Sequence, residues 1–152
     1  MNKSQIIYGT NTGNSQEVSE TLKERIEELG IEVDCSDMFD SDPKNMKDLT
    51  DVYFCVSTWG EGEPPDDSVD YFNKMKELPD DYLKNIRFAV CGLGDSAYDI
   101  FNGFGKDIEI EMNRLGGELI TERVDCDIDF EELSDPWIEK IFNHEKQMRE
   151  PM

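Results

Sequence analysis

Basic charge is scarce in this chain: 15 Lys and Arg stand against 36 Asp and Glu, for a formal net charge of -21 over 152 residues. Such a surface repels phosphate backbones and anionic lipid, which excludes nucleic acid and membranes as partners. Long apolar runs are missing too. No stretch approaches the roughly 20 apolar residues of a membrane-crossing helix, and the start, Met1-Asn2-Lys3-Ser4-Gln5, lacks the apolar core of a leader peptide. A soluble cytoplasmic protein is expected. The four cysteines, Cys35, Cys55, Cys91 and Cys126, form no C-x-x-C pair, so they read as buried thiols acting as small hydrophobes. The single histidine, His144, lies near the end of the last helical segment, where an exposed surface role is expected. General-base hydrolysis is therefore disfavoured.

What the chain does have is regular alternation. Gln5–Gly9 is a short apolar run that suits a buried strand, and Val18, Leu22, Ile26 and Leu29 then recur at helical spacing up to Gly30. Ile31–Cys35 alternates as a half-exposed strand. Val52–Ser57 and Ile86–Cys91 read as buried strands, each followed by a polar loop and a helical pattern: Val69, Phe72 and Met75 after the first, Phe104, Ile108, Met112 and Leu115 after the second. Glu118–Val124 supplies a fifth strand. A last helix runs from Phe130 to about His144 through Leu133, Trp137, Ile138, Ile141 and Phe142, and the chain after Lys146 is expected to fray. Strands alternating with helices imply parallel, right-handed crossovers and a three-layer α/β sandwich. A chain of this length buries roughly 70% of its unfolded surface, enough for one domain over residues 1–152.

Ligands of an open parallel sheet bind at the carboxyl ends of its strands, which singles out three loops. The first is Thr10-Asn11-Thr12-Gly13-Asn14-Ser15. Its small neutral donors surround a glycine at a helix N-terminus, a cradle for a phosphate. It lacks the lysine of a triphosphatase loop, so a bound monophosphate that is not transferred fits best. The second begins Ser57-Thr58-Trp59-Gly60-Glu61-Gly62-Glu63-Pro64-Pro65. Trp59 is set to stack on a planar ligand, and Gly60 can turn its peptide carbonyl at small conformational cost. The third is Gly92-Leu93-Gly94-Asp95-Ser96-Ala97-Tyr98-Asp99-Ile100-Phe101-Asn102, with close-approaching backbone amides and a second aromatic face at Tyr98. Its formal match to G-x-G-x-x-G/A follows the fourth strand rather than the first, and is discounted. A phosphate cradle and two aromatic-bearing loops facing one crevice suit a planar ring joined to a phosphate by a polyol, which describes FMN.

At these loops the chain resembles the flavodoxins, from Gln5 to about Phe142. Thr10–Ser15 is similar to the family's T/S-x-T-G-x-T/S phosphate motif, Ser57–Gly60 to the loop of the inner aromatic, and Gly94–Tyr98 to the loop of the outer one. The resemblance implies a flavodoxin-like doubly wound five-stranded parallel sheet, strand order 2-1-3-4-5, with helices on both faces. It implies phosphate binding by Thr10, Asn11, Thr12, Asn14, Ser15 and the Gly13 backbone, and ribityl contacts from Thr58 and Asn14 near Ser57. Trp59 and Tyr98 would sandwich the isoalloxazine, and the Gly60 carbonyl would accept a hydrogen bond from N5 of the neutral semiquinone. Leu93, Gly94, Asp95 and Asn102 would border the pyrimidine edge. With no insertion across Glu118–Asp129 the chain is similar to the short-chain branch, although its Gly60–Asp67 and Gly92–Ser96 loops also resemble the FMN domains of diflavin reductases. No FAD or NADPH module accompanies them within these residues.

The expected function is low-potential, one-electron transfer, cycling between semiquinone and hydroquinone, because carboxylates and aromatic rings around the flavin disfavour its fully reduced anion. Partners would be redox proteins with basic docking surfaces, met by a monomer. A flavodoxin-fold FMN-dependent reductase acting on a small substrate is the rival reading. It needs a substrate pocket over the flavin, whereas Trp59 and Tyr98 are set to cover both faces. A phospho-receiver domain would need an acidic pocket where the chain reads Thr-Asn-Thr-Gly.

Overall fold

A computed structural model describes residues 3–9, 13–58, 64–94, 103–127 and 129–149. Its strands are β1 (Ser4–Gly9), β2 (Asp34–Asp37), β3 (Asp51–Ser57), β4 (Arg87–Leu93), β5 (Glu118–Leu119) and β6 (Val124–Cys126). Its helices are α1 (Asn14–Glu27), α2 (Val69–Glu77), α3 (Gly103–Arg114) and α4 (Glu131–Arg149). All strand pairs are parallel, in the order β2-β1-β3-β4-β5, and β6 continues beside β4 where β5 leaves off. The expected fifth strand is thus two short ones. Thr121, Glu122 and Arg123 offer no apolar alternation to hold to the sheet, and Arg123 turns instead to carboxylates of Glu109 on α3 and Asp125. Strand β2 lies later than Ile31–Cys35, because pairing with β1 carries it through Ser36 and Asp37, opposite Ile7 and Tyr8. Tertiary pairing here overrides the weak strand propensity of those polar residues.

Strand β3 is buried along its whole length, and its residues alternate between two cores. Val52, Phe54 and Val56 join Ile7, Phe88 and Val90 under α2 and α3. Tyr53 and Cys55 join Ile6, Ala89 and Cys91 under α1 and α4. Helix α3 buries Phe104, Ile108 and Met112 and the following Leu115, as its spacing predicts. On helix α2 Met75 is buried and Phe72 packs edge-on against Phe104, as the spacing predicts, but Tyr71 is buried where Val69 is exposed. On α4, Trp137, Ile138 and Ile141 are buried while Leu133 faces out. Arg25 of α1 pins α4 from outside, donating to both oxygens of Glu139 at 2.8 and 2.9 Å and stacking 3.6 Å over the Phe142 ring.

A polar cluster closes the amino end of the sheet. Asp51 and Arg87, which open β3 and β4, face each other in register. Arg87 Nε and Nη2 donate to the two Asp51 oxygens at 3.0 and 2.9 Å, and His144 Nε2 of α4 lies 2.6 Å from Asp51 Oδ2. Burial alone would raise the Asp51 carboxyl, but hydrogen bonds from His144, Arg87 and Thr50 outweigh it and hold the group well below the usual carboxylate range. Beside it Glu145 Oε1 accepts from Tyr53 Oη at 2.6 Å and from Ser4 Oγ. Burial, and then the Glu145 charge, push the Tyr53 phenol far up. His144 is therefore an anchor whose side chain is 13% exposed, contrary to its expected surface role. Trp137, Ile141 and Glu145 are buried one turn apart, and α4 runs on through Arg149, past the Lys146 after which fraying was expected; residues 150–152 of that tail lie outside the described residues.

Candidate cofactor site at the carboxyl edge of the sheet

The chain order reverses between β1 and β3, so the two strands leave a crevice at their carboxyl ends, bordered by β4. Gly13 opens α1 at φ +92, a conformation open to glycine at little cost. Among the described residues a Cβ there would meet nothing within 4 Å, and the Gly13 carbonyl accepts from Glu17 N–H at 2.9 Å in the first turn of α1, whose N-terminus is the positive end of the helix. Asn14 is exposed beside it. Ser15 is turned inward, its Oγ 2.5 Å from Ser57 Oγ in a buried hydroxyl pair that joins the first turn of α1 to the last residue of β3. That hydrogen bond brings the first and second loops to one point.

The roots of the second and third loops are stitched together as well. Thr58 N–H donates to the Leu93 carbonyl at 2.9 Å, and Gly94 N–H to the Cys126 carbonyl at 2.9 Å. Thr58 Oγ1 accepts from Phe104 N–H at 3.1 Å, capping the first turn of α3 as that helix leaves the third loop. Gly13, Asn14, Ser15, Ser57, Thr58, Leu93 and Gly94 thus all stand on one edge. The other expected site residues, Thr10, Asn11, Thr12, Trp59, Gly60, Asp95, Tyr98 and Asn102, lie outside the described residues.

Two contributors at this edge escaped the sequence reading. Gly9, the last residue of β1, is packed so closely that a Cβ would collide with Ser68 Oγ and come within 3.1 Å of Met38 Sδ. Ser68 is fully buried, and its hydroxyl has no hydrogen-bond partner among the described residues. A glycine closing a buried strand signals close approach of another segment, but the sequence does not say which one. Cys91 and Cys126 also converge, with sulfurs 3.8 Å apart between neighbouring strands β4 and β6. Among the described residues no group of His, Cys, Asp and Glu is arranged to hold a metal ion, and no helix is long and apolar enough to cross a membrane.

The family model described as flavodoxin matches residues 6–137. The sulfite reductase [NADPH] flavoprotein alpha-component of Bacillus subtilis is 38% identical over 90% of this chain and 22% of its own length. That of Photobacterium profundum is 37% identical over 93% of this chain and 24% of its own. The chain thus spans about a quarter of the length of these curated relatives. Among solved structures, the Streptococcus pneumonia TIGR4 flavodoxin superposes with a TM-score of 0.79 at 25% identity, covering 95% of this chain and 96% of that one. The oxidised Flavodoxin 1 from Bacillus cereus gives 0.79 at 22%, over 93% and 98%. Proteins of this family bind FMN, and the edge fits it: the helix N-terminus at Gly13 and the neutral Asn14 and Ser15 donors suit a phosphate that is held but not transferred.

Proposed function

Because the chain belongs to the flavodoxin family, we propose that it carries single electrons at low potential on FMN bound at the carboxyl edge of its sheet, receiving them from one redox protein and passing them to another. FMN supplies the redox chemistry; the chain holds, orients and screens it. In this reading the backbone at Gly13 and the donors of Thr10, Asn11, Thr12, Asn14 and Ser15 hold the phosphate, and Ser57 and Thr58 stand beside the ribityl chain. Trp59 and Tyr98 cover the two ring faces, the Gly60 carbonyl meets the ring at N5, and Leu93, Gly94, Asp95 and Asn102 line its pyrimidine edge. In this reading residues 1–152 act as one monomeric, cytoplasmic FMN-binding unit that carries electrons rather than turning over a substrate of its own.

The observation that carries the proposal is the Ser15–Ser57 hydroxyl pair, which ties the N-terminus of α1 to the last residue of β3 at the carboxyl edge of the sheet. The test is stepwise anaerobic reduction of the FMN-supplemented protein followed by visible spectroscopy. A one-electron-reduced flavin accumulating between two well-separated steps supports the carrier. Direct passage to the two-electron form favours an FMN-dependent reductase, and failure to bind flavin removes both. The similarity to sulfite reductase flavoprotein components supports a narrower reading, in which the acceptor is the protein such a component serves. Reduction of that acceptor by the flavin-loaded chain, under single-turnover conditions, checks it.

A further inference from the structure

The turn Met38–Asp40 and the start of α2 present apolar side chains that the fold does not use. Phe39 is 69% exposed, the highest value among the large apolar side chains described, and Val69 opens α2 at 38%. Between them the core is served by others: Met38 is buried, and so is Ser68. The turn lies beside both Asp66–Ser68 and α2, and Met38 and Ser68 both close over Gly9, the residue before the phosphate loop. The patch therefore belongs to the carboxyl rim that carries the cofactor loops.

Phe39 is also held firmly where it is. Its N–H donates to Asp37 Oδ1 at 3.0 Å, Ser41 Oγ donates to the Asp37 carbonyl at 2.8 Å, and Ser41 N–H donates to the Met38 carbonyl at 3.2 Å. An aromatic side chain presented on a fixed turn loses little freedom when it is covered, as an interface anchor should. Exposed carboxylates stand on the elements that meet here. Asp40, Asp66 and Asp70 are exposed around it, Asp37 is half-buried, and Lys44 is the nearest exposed cation along the chain.

We propose that this face is a docking surface for a redox partner whose contact surface is an apolar socket rimmed by Lys or Arg, with Phe39 as the anchor. The inference rests on the electron-carrier reading and deepens it by assigning the contact residues. Carboxylates around one apolar knob steer a basic surface in and fix its register, while burial of the aromatic ring sets the lifetime of the encounter.

The probe is cytochrome c, a haem protein with a basic face. FMN-loaded protein reduced with dithionite and freed of excess reductant is mixed with ferric cytochrome c in stopped flow over a series of salt concentrations. Each electron leaving the flavin converts one ferric haem to ferrous. Phe39→Ala is expected to slow transfer about tenfold, the fold-change for loss of one anchor, with flavin affinity and potentials unchanged. Asp40→Asn should flatten the salt dependence, and Ile110→Ala, at a side chain 61% exposed on α3, should leave the rate alone. Equal rates for parent, Phe39→Ala and Ile110→Ala overturn the proposal. Should the chain bind no flavin, the carrier reading fails by itself, and the surface is read separately from amide shifts of the full chain titrated with cytochrome c. Shifts centred on Phe39, Asp40 and Val69 support it, and shifts spread over α3 or α4 overturn it.

Discussion

At their amino ends β3 and β4 begin with Asp51 and Arg87, an ion pair part-buried under His144; at their carboxyl ends the same two strands finish in Leu93 and in Ser57, which is hydroxyl-paired with Ser15. The contrast follows from what each end must do. A buried Asp51 carboxylate held by a part-buried Arg87 and by His144 loses its partners if α4 moves, so it suits the end that fastens α4 to the sheet. A crevice for a phosphate needs neutral donors at a helix N-terminus, and Gly13, Asn14, Ser15 and Ser57 supply that chemistry where α1 starts and β3 ends.

The contrast between the two ends is broken most directly at Asp51. Asp51→Ala leaves the Arg87 guanidinium and the His144 ring facing an empty site, and should cost about 3 to 4 kcal/mol in urea unfolding, with FMN affinity retained because the other end is untouched. The same group shapes the acid limb of stability. Its folded-state pKa is depressed, so its contribution is complete above the unfolded value of about 4 and is lost as pH falls below it. Asp51→Asn should flatten the unfolding profile there, measured by the midpoint temperature against pH.

At the carboxyl end the largest effect belongs to Gly9. Gly9→Ala drives a methyl into Ser68 Oγ and should cost about 2 kcal/mol by overpacking. It should also weaken FMN binding by shifting the loop that follows. Adding Ser68→Gly should recover most of both losses, a coupling that a double-mutant cycle reads. Smaller again is the hydroxyl pair: Ser15→Ala and Ser57→Ala should each cost about 1 kcal/mol, and the double variant less than the sum. Smallest of all is the thiol response. Burial pushes the Cys35 thiol to about 11 and the Cys55 thiol to about 12. A thiol reagent counted before and after unfolding should label the half-buried Cys35 slowly in the native protein, with Cys55, Cys91 and Cys126 reacting only once it is unfolded.

Local signals in the sequence mark the carboxyl end and not the amino end. Loops that cradle a ligand are short, local strings of Gly, Ser, Thr and Asn, and they carry their meaning in consecutive residues. The lock of Asp51, Arg87 and His144 joins three positions scattered over most of the chain, and nothing local marks any of them. The buried strands β1, β3 and β4 were readable because their apolar runs are continuous. Edge strands β2, β5 and β6 were not, since pairing with a neighbour, rather than their own composition, decides where they start and stop. Helical spacing places Leu133 and Val69 in the core, but a modest rotation about each helix axis puts Ser134 and Tyr71 inside instead.

The main-chain stitches at Thr58 and Gly94 have a consequence for time as well as for space. Each of these loop-root amides is tied to the strand beside its own, at Leu93 and Cys126. In heavy water such protons leave only when the neighbouring strand lets go, on the slow clock of sub-global opening rather than the fast one of surface loops. The points from which the cofactor loops spring therefore persist between such openings, for as long as the sheet holds.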